Sequence, residues 1–139
     1  MGLFKKTVKP SQQAYAVVTG AGSGIGQSFA LELGKRGGTV VCADINLAAA
    51  EKTVSLLAEL GAKGFAIACD VGVAEQVAEL AEQAEQLMQH PVTLVINNAG
   101  VGLGGKFDEL SLEDWQWVTN VNLWGVIHGC HYFVPKFKK

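Results

Sequence analysis

The sequence is poor in cysteine and proline, and it has no long apolar segment. Three cysteines and three prolines occur in 139 residues, and no CxxC spacing is present, which argues against a disulfide framework and against a bound metal. Charged residues and glycines interrupt every apolar run, so no membrane span is expected. The formal net charge of -2 offers no surplus of positive charge for nucleic acid. A globular domain in the cytoplasm is therefore expected.

Short apolar runs alternate along the chain with segments of helical periodicity. The runs are brief and bounded by turn-forming residues, which is typical of strands buried on both faces. They predict strands at residues 14–19, 39–44, 64–70 and 92–98. Strands that alternate with helices pair in parallel through right-handed crossovers. We therefore expect a doubly wound parallel sheet in a three-layer α/β/α domain of the Rossmann type, incomplete at its C-terminal end.

Four helices are predicted from apolar residues that recur every three or four positions. The first is marked by Ile25, Phe29 and Leu33, the second is capped by Asn46, and the fourth begins with a capping box at 111–114. The inner face of the second helix is expected to carry Leu47, Ala50, Val54, Leu57 and Ala58. The third helix is marked by Val73, Val77, Leu80, Ala84 and Leu87. The predicted domain covers residues 14–139, preceded by a flexible basic arm at 1–13.

The fourth helix is apolar on two opposite faces. One face carries Trp115, Val118, Val126 and Gly129, and the other carries Trp117, Val121, Trp124 and His128. A helix that is apolar on both sides has to be covered on both sides, and the sheet covers only one of them. The second face therefore predicts a homo-oligomer that forms through this helix.

A glycine-rich turn joins the first strand to the first helix. Residues 19–26 read TGAGSGIG, and glycines at such a place allow a tight turn and let backbone N–H groups approach a pyrophosphate. The positive end of the helix dipole behind the turn favours the same anion. Here the chain resembles the short-chain dehydrogenase/reductase family, whose signature is TGxxxGIG. The resemblance implies that Gly20, Ser23, Gly24, Ile25 and Gly26 bind a nicotinamide dinucleotide.

Asp44 ends the second strand, at the place where dinucleotide folds carry a carboxylate that binds the adenosine ribose. The 2′-phosphate of NADP would meet a like charge there, at a cost of about 4 kcal/mol for unit charges ~4 Å apart at a dielectric of ~20. NADP-using members of the family usually carry a basic residue in the glycine loop or after this position. Ser23 and Ile45 stand in those places, so NAD is favoured over NADP.

Three further motifs support the resemblance. Asp70 and Val71 follow the third strand, where the family holds the adenine ring, although a strand-end or helix-capping aspartate is the alternative. The string NNAG at 97–100 is the family's second diagnostic motif, and it implies that Asn98, Ala99 and Gly100 contact the cofactor. The string VNLWG at 121–125 resembles the helix that carries the catalytic asparagine, which makes Asn122 the candidate for a proton relay.

The family's Ser, Tyr and Lys are expected to be missing from this chain. Tyr132 and Lys136 have the spacing YxxxK, but they follow Asn122 too closely, and Pro135 is expected to break the helical turn between them. We therefore expect a truncated or fragmentary chain that leaves the outer edge of the fourth strand unpaired and shows no turnover alone. The complete enzyme would transfer a hydride between the cofactor and a small alcohol or ketone.

Two functions from other classes stay open at this stage. A non-catalytic dinucleotide-binding module would share the glycine turn and Asp44. A methyltransferase that uses S-adenosylmethionine also combines a glycine-rich loop with a strand-end acid, but NNAG and VNLWG argue against it. A titration with each ligand separates these alternatives.

Overall fold

The computed structural model describes residues 7–139, and in this part of the chain four parallel strands form one sheet. The strands are β1 (Tyr15–Thr19), β2 (Thr39–Asp44), β3 (Lys63–Ala68) and β4 (Leu94–Ile96). Their order is β3-β2-β1-β4, which confirms the doubly wound parallel sheet. Because the order reverses between β1 and β4, the loops that follow these two strands separate and leave a crevice at the carboxyl end of the sheet.

Both faces of the sheet are buried, because side chains of each strand alternate between two apolar layers. The helices are α1 (Gly24–Lys35), α2 (Leu47–Glu59), α3 (Ala74–Met88), α4 (Leu112–Thr119) and α5 (Gly125–Phe137). Val17 pairs in register with Val41, and both point into one core with α3 and α5. Val18 and Val40 point into the other core with α1 and α2. The predicted three-layer arrangement is confirmed.

Two strands end earlier than their apolar runs predicted. The runs at 64–70 and 92–98 give strands that stop at Ala68 and Ile96. The backbone N–H groups of Asn98 and Ala99 leave the ladder and donate to the side chain of Thr19 instead. Because β3 and β4 end early, the residues that follow them are not held in the sheet and can line the crevice.

The helices are where they were predicted, but their buried faces differ. In α1 the small residues Gly26, Ala30 and Gly34 pack inward with Leu33, while Ile25 is 71% exposed. In α2 the prediction was wrong at Leu47 and Ala58, which are exposed, and it missed the buried Thr53. Of the residues that marked the third helix, Val73, just before α3, and Leu87 are exposed, while Ala81 and Met88 of α3 are buried. A helix that packs closely on a sheet needs small side chains at the contact. A search for periodic large apolar residues does not detect these small ones.

The fourth predicted helix is divided by a π-helical segment. The capping box is confirmed, because Ser111 Oγ accepts from Asp114 N–H and the Asp114 carboxylate accepts from Ser111 N–H. A π-helical segment, Asn120–Trp124, then joins α4 to α5. A π-turn adds a residue to the helical repeat, so it rotates the later side chains relative to the earlier ones.

That rotation changes the faces of this helix. The face that was predicted to point outward is partly covered by the chain itself, since Val121 packs against the core and His128 Nδ1 lies 2.7 Å from the Val71 carbonyl oxygen. Trp124 stays about half exposed. The prediction of a second, fully outward face is therefore wrong for Val121 and His128.

The helix α5 continues through Pro135 to Phe137, so the expected break at this proline is wrong. A proline near the end of a helix removes few backbone bonds. Lys136 Nζ lies 2.8 Å from Glu82 Oε1 and 3.0 Å from Glu85 Oε2, which ties α5 to α3. The bond to Glu82 raises the pKa of Lys136 against the opposing effect of burial. Burial opposes ionisation of Glu85 too, but bonds from Lys136 and the Val92 amide hold its pKa below the ordinary value.

The predicted arm at 1–13 lies partly outside the described residues, which begin at residue 7. Its later part is held by the end of α1, because Gln13 N–H donates to Arg36 O and Arg36 donates to Ser11 Oγ. The flexibility of the arm stays a prediction. Across the part of the chain from residue 7 onward, no helix is long and apolar enough to cross a membrane.

Candidate dinucleotide-binding site

The glycine turn leaves the N-terminus of α1 open. Gly20 and Gly24 have φ of 65° and 53°, a conformation that side chains other than glycine rarely adopt. Of the residues the structure describes, none comes within 4 Å of the position that a Cβ on Gly24 would take. A Cβ on Gly26 would collide with the carbonyl oxygen of Gly20. The turn is thus packed tightly on its inner side and open on its outer side, toward the crevice.

Thr53 supports this turn from α2, although the sequence analysis did not single it out. Its hydroxyl is buried and donates to the carbonyl oxygen of Ala21 at 2.7 Å, and it accepts from Gln27 Nε2 at 3.1 Å. A buried hydroxyl with two partners fixes the backbone that it contacts. Its place between Ala50 and Leu57 on the inner stripe of α2 was the signal in the sequence.

The carboxylate of Asp44 lies directly beside the glycine turn. Its Oδ2 accepts from Gly22 N–H at 2.8 Å, and its Oδ1 accepts from Asn46 N–H at 2.9 Å. Asn46 in turn caps α2 by accepting from Ala49 N–H at 3.1 Å. Each carboxylate oxygen keeps a lone pair that can accept from a ligand hydroxyl. Asp44 and the glycine turn are therefore within hydrogen-bonding distance of each other, as the dinucleotide hypothesis requires.

The NNAG segment, which follows β4, is hydrogen-bonded to the end of β1. The N–H groups of Asn98 and Ala99 both donate to Thr19 Oγ1 at 3.0 Å. The side-chain amide of Asn98 donates to the carbonyl oxygen of Thr19 at 3.0 Å. These bonds tie the loop after β4 to the end of β1. Thr19, the first residue of the TGxxxGIG string, is a member of the site that the analysis did not name.

Asp70 and Val71 form the wall beyond β3. Asp70 Oδ1 accepts from Gly72 N–H at 2.9 Å, and Asp70 N–H donates to Gln76 Oε1 at 2.7 Å. The carboxylate therefore closes a local turn, and it does not cap α3, whose N-cap position is occupied by Val73. Beside this turn, burial and then the charges of Asp70 and Glu79 raise the pKa of Cys69 to about 11. This thiol is therefore inert at neutral pH.

All the residues that were predicted to bind the cofactor line one cleft of about 480 Å³, named here the main cleft. It runs from Asp44 and Asp70, at the ends of β2 and β3, across the glycine turn to Gly100 at the end of β4. Residues that also line it but were not predicted are Ile45, Cys69, Val101, Trp117 and Val121. Trp117 and Val121 were not predicted to line the cleft, because no residue type in the sequence marks the π-helical segment.

Asn122 does not line the main cleft but lies at its end. It belongs to the π-helical segment, and its side-chain amide pairs with the backbone of Val101. Val101 N–H donates to Asn122 Oδ1 at 2.8 Å, and Asn122 Nδ2 donates to Val101 O at 2.8 Å. Both polar atoms of the side chain are therefore engaged in holding the loop after β4.

The main cleft presents groups that can bind the parts of a dinucleotide. It offers an open helix N-terminus and glycine amides for a diphosphate, midway between a carboxylate at one end and small residues at the other. Among residues 7–139 that line it, the charged ones are Asp44 and Asp70, both acidic. A complementary ligand would place hydroxyl donors near the Asp44 carboxylate and an anionic group at the amides of the glycine turn.

Comparison with known proteins agrees with this geometry. A family model described as short chain dehydrogenase matches residues 14–139. The chain belongs to this family. It is 42% identical over 121 residues to the cyclohexanol dehydrogenase of Acinetobacter sp. (strain SE19), covering 86% of this chain and 48% of that protein. It is 36% identical to the C alpha-dehydrogenase of Sphingobium sp. (strain NBRC 103272 / SYK-6), covering 93% of this chain and 42% of that protein.

Solved structures of short-chain dehydrogenases share the fold. A short-chain dehydrogenase/reductase from Burkholderia phymatum, solved in complex with NAD, superposes with a TM-score of 0.87 at 41% identity, covering 92% of this chain and 45% of that one. A hydroxysteroid dehydrogenase from Escherichia coli superposes with a TM-score of 0.84 at 29% identity, covering 91% and 54% respectively. This chain spans about half the length of the relatives that it matches.

Proposed function

We propose that residues 14–139 bind NAD as part of an oxidoreductase that interconverts an alcohol and a carbonyl compound. The observation that carries the proposal is the Asp44 carboxylate, 2.8 Å from the Gly22 amide and beside the open N-terminus of α1. The relative from Burkholderia phymatum, which was solved with NAD, and the relatives named as dehydrogenases support it. The nicotinamide ring, when bound, supplies or accepts the hydride.

Each part of the main cleft has a role in this proposal. The amides of the glycine turn, from Gly20 to Gly26, hold the diphosphate, and Ser23 lies at the same helix end. Asp44 accepts from the adenosine ribose, and Asp70 with the amide of Val71 holds the adenine. Asn98, Ala99 and Gly100 border the nicotinamide half, because they stand at the opposite end from Asp44.

NAD is the proposed cofactor, with NADP disfavoured. Both carboxylates of the main cleft lie at the end that the adenosine would occupy, and Ile45, the residue after Asp44, is apolar and 72% exposed. A 2′-phosphate would therefore approach a carboxylate with no compensating cation among the described lining residues. Unit charges at contact distance repel by about 4 kcal/mol at an effective dielectric of ~20.

Asn122 is proposed to assist a proton relay and to hold the loop after β4. Its Oδ1 accepts from the Val101 amide and keeps one lone pair that can hold a water. We expect residues 1–139 alone to show no alcohol oxidation, because the described lining of the main cleft offers no tyrosine or lysine as an acid or base. Tyr132 packs against the core, and Lys136 is engaged by α3.

A homo-oligomer that forms through the fourth predicted helix is also proposed. Leu123, Trp124 and Ile127 are 54%, 47% and 40% exposed and lie within two turns of one another. Trp124→Glu should reduce the size of the assembly in light scattering, because a buried carboxylate opposes association. Leu60→Glu, at an equally exposed apolar position just after the end of α2, is the matched control. An unchanged size for Trp124→Glu contradicts this contact.

Calorimetric titration of the chain with three ligands tests the proposed function. NAD should bind more tightly than NADP, and S-adenosylmethionine should not bind. Tight binding of S-adenosylmethionine instead would favour the methyltransferase. An NAD-binding protein that stays inert in its full-length form would be the non-catalytic module. Failure of NAD to bind would refute the proposal.

A further inference from the structure

One peptide group of the glycine turn, the one between Ala21 and Gly22, is bonded on both of its sides. Its carbonyl oxygen accepts from the Thr53 hydroxyl at 2.7 Å, and its N–H donates to Asp44 Oδ2 at 2.8 Å. The C=O and N–H groups of a trans peptide point in opposite directions from one plane. The bond from Thr53 on one side therefore fixes the direction in which the N–H meets the carboxylate on the other side.

This peptide is buried and lies close against Asp44. Ala21 and Thr53 are both 0% exposed, so water does not replace a lost bond to the carbonyl oxygen. A Cβ on Gly22 would lie 2.7 Å from Asp44 Oδ2 and 2.6 Å from the Cβ of Ala49, which leaves no room for a side chain between the turn and the acid. If the carbonyl group turned toward another donor, the N–H on the same plane would turn away from Asp44.

The direction of the Thr53 hydroxyl is set by Gln27, in the first turn of α1. Gln27 Nε2 donates to Thr53 Oγ1 at 3.1 Å, and the single hydroxyl proton is then left for a carbonyl oxygen. Ala21 O lies at 2.7 Å, whereas Ala49 O, one turn back in α2, lies at 3.4 Å. The usual bond of a threonine inside a helix is to the carbonyl one turn back. Here that bond is the longer one, so the hydroxyl is committed to the glycine turn.

We propose that Thr53 is a positioning residue for cofactor selectivity. Through the peptide that it holds, it keeps the Asp44 carboxylate in the orientation that accepts from a ribose and repels a 2′-phosphate. Thr53 does not line the main cleft, so it acts only through the groups that it holds. The second oxygen of Asp44 keeps its bond from the Asn46 amide, so loss of the Thr53 hydroxyl loosens the acid without releasing it. The inference rests on the proposed function, because it takes the adenosine ribose to bind at Asp44.

Thr53→Val and Thr53→Ser separate the hydroxyl from the packing of the side chain. Valine keeps the volume and loses the hydroxyl, whereas serine keeps the hydroxyl and loses a methyl group. Calorimetry with NAD and NADP should show NAD binding weakened by roughly three- to tenfold in Thr53→Val, with NADP affected less. Thr53→Ser should keep the wild-type preference for NAD. Ser55→Ala, which removes a hydroxyl bonded to Glu51 O on the exposed side of α2, is the matched control and should change neither constant.

A purely structural role of Thr53 gives a different result. The affinity for NAD would then follow the stability of the variants, and Thr53→Ser, weakened by the lost methyl group, would lose affinity as Thr53→Val does. That outcome, or a folded Thr53→Val with the wild-type ratio of the two dissociation constants, would overturn the inference.

Hydrogen exchange of the chain without cofactor tests the same link at the peptide itself. In Thr53→Val the Gly22 amide should exchange at least roughly tenfold faster, while the amides of β2 keep their rates. Equal acceleration throughout the chain would show only a loss of global stability and would refute the inference.

Gln27→Leu is the second variant, for the case that Thr53→Val does not fold. It removes only the donor that orients the hydroxyl, and it should lower the preference for NAD by roughly two- to threefold. An unchanged preference together with unchanged exchange at Gly22 would contradict the proposal. If the wild-type chain binds neither cofactor, the proposed function fails, and the exchange rate of Gly22 alone then decides whether Thr53 holds the turn.

Discussion

Replacement of Asp44 by asparagine tests how the acid beside the glycine turn acts. The backbone N–H groups of Gly22 and Asn46 each donate to a different carboxylate oxygen, at 2.8 and 2.9 Å. Asparagine has only one oxygen, so its NH₂ group would have to face one of these two donors. The variant keeps the size of the side chain but removes the charge and leaves one backbone donor without its acceptor.

The expected effects follow from the bonds that are lost. One unmet backbone donor at this half-buried position should lower the free energy of unfolding by about 1–2 kcal/mol. Loss of a charged acceptor for the ribose should weaken NAD binding by about 1.5–3 kcal/mol, which is roughly ten- to a hundredfold in Kd. NADP should lose much less affinity, or gain some, because the repulsion of its 2′-phosphate is removed at the same time.

The decisive quantity is the ratio of the two dissociation constants, measured by calorimetry at one ionic strength. In Asp44→Asn the preference for NAD over NADP should fall by roughly tenfold or more. Asp108→Asn, at an exposed aspartate of the loop before α4, is the matched control and should change neither constant. If the Asp44 variant stays folded and keeps the wild-type ratio, the carboxylate does not face the ribose, and the electrostatic argument for NAD fails.

Two further substitutions examine packing away from this acid. Gly26→Ala should abolish NAD binding and lower stability by about 1–3 kcal/mol, because a Cβ there collides with the Gly20 carbonyl oxygen; wild-type stability in urea would contradict that contact. Lys136→Met should cost about 1–2 kcal/mol at pH 7, since it removes the ammonium partner of Glu85. The pKa of Glu85 is lowered by folding, so its stabilisation is present above the unfolded pKa and is lost as the pH falls through the folded one. The difference between wild type and Lys136→Met should therefore shrink in acid, and a constant difference would argue against the ion pair.

The sequence carried enough information to predict the sheet and most of the main cleft. Parallel strands end at one edge, so motifs that follow successive strands had to meet there. Residues of the glycine turn, Asp44 and residues 98–100 do line one cleft. These motifs could be recognised because glycine, aspartate and asparagine at strand ends have specific backbone and hydrogen-bonding roles. The roles of the individual residues toward a cofactor stay predictions until binding is measured.

The helix after NNAG could not be predicted in the same way. Its apolar residues fit two α-helical faces, and no residue type marks the π-helical segment that rotates one part against the other. The consequence was an error at Val121 and His128, which contact the chain itself, and a failure to see Trp117 in the main cleft. That only one side of this helix lines the main cleft, with Trp117 and Val121, could be seen only in the structure.

The hydroxyl of Thr19 gives the crevice a property of its own. It accepts from the backbone N–H groups of Asn98 and Ala99 in the loop after β4, while the Asn98 side chain donates to the Thr19 carbonyl oxygen. The loops on the two sides of the crevice are thus bonded to each other before any ligand binds. A ligand therefore binds a preformed site. Little affinity should be lost to the ordering of loops, and association should need no slow conformational step.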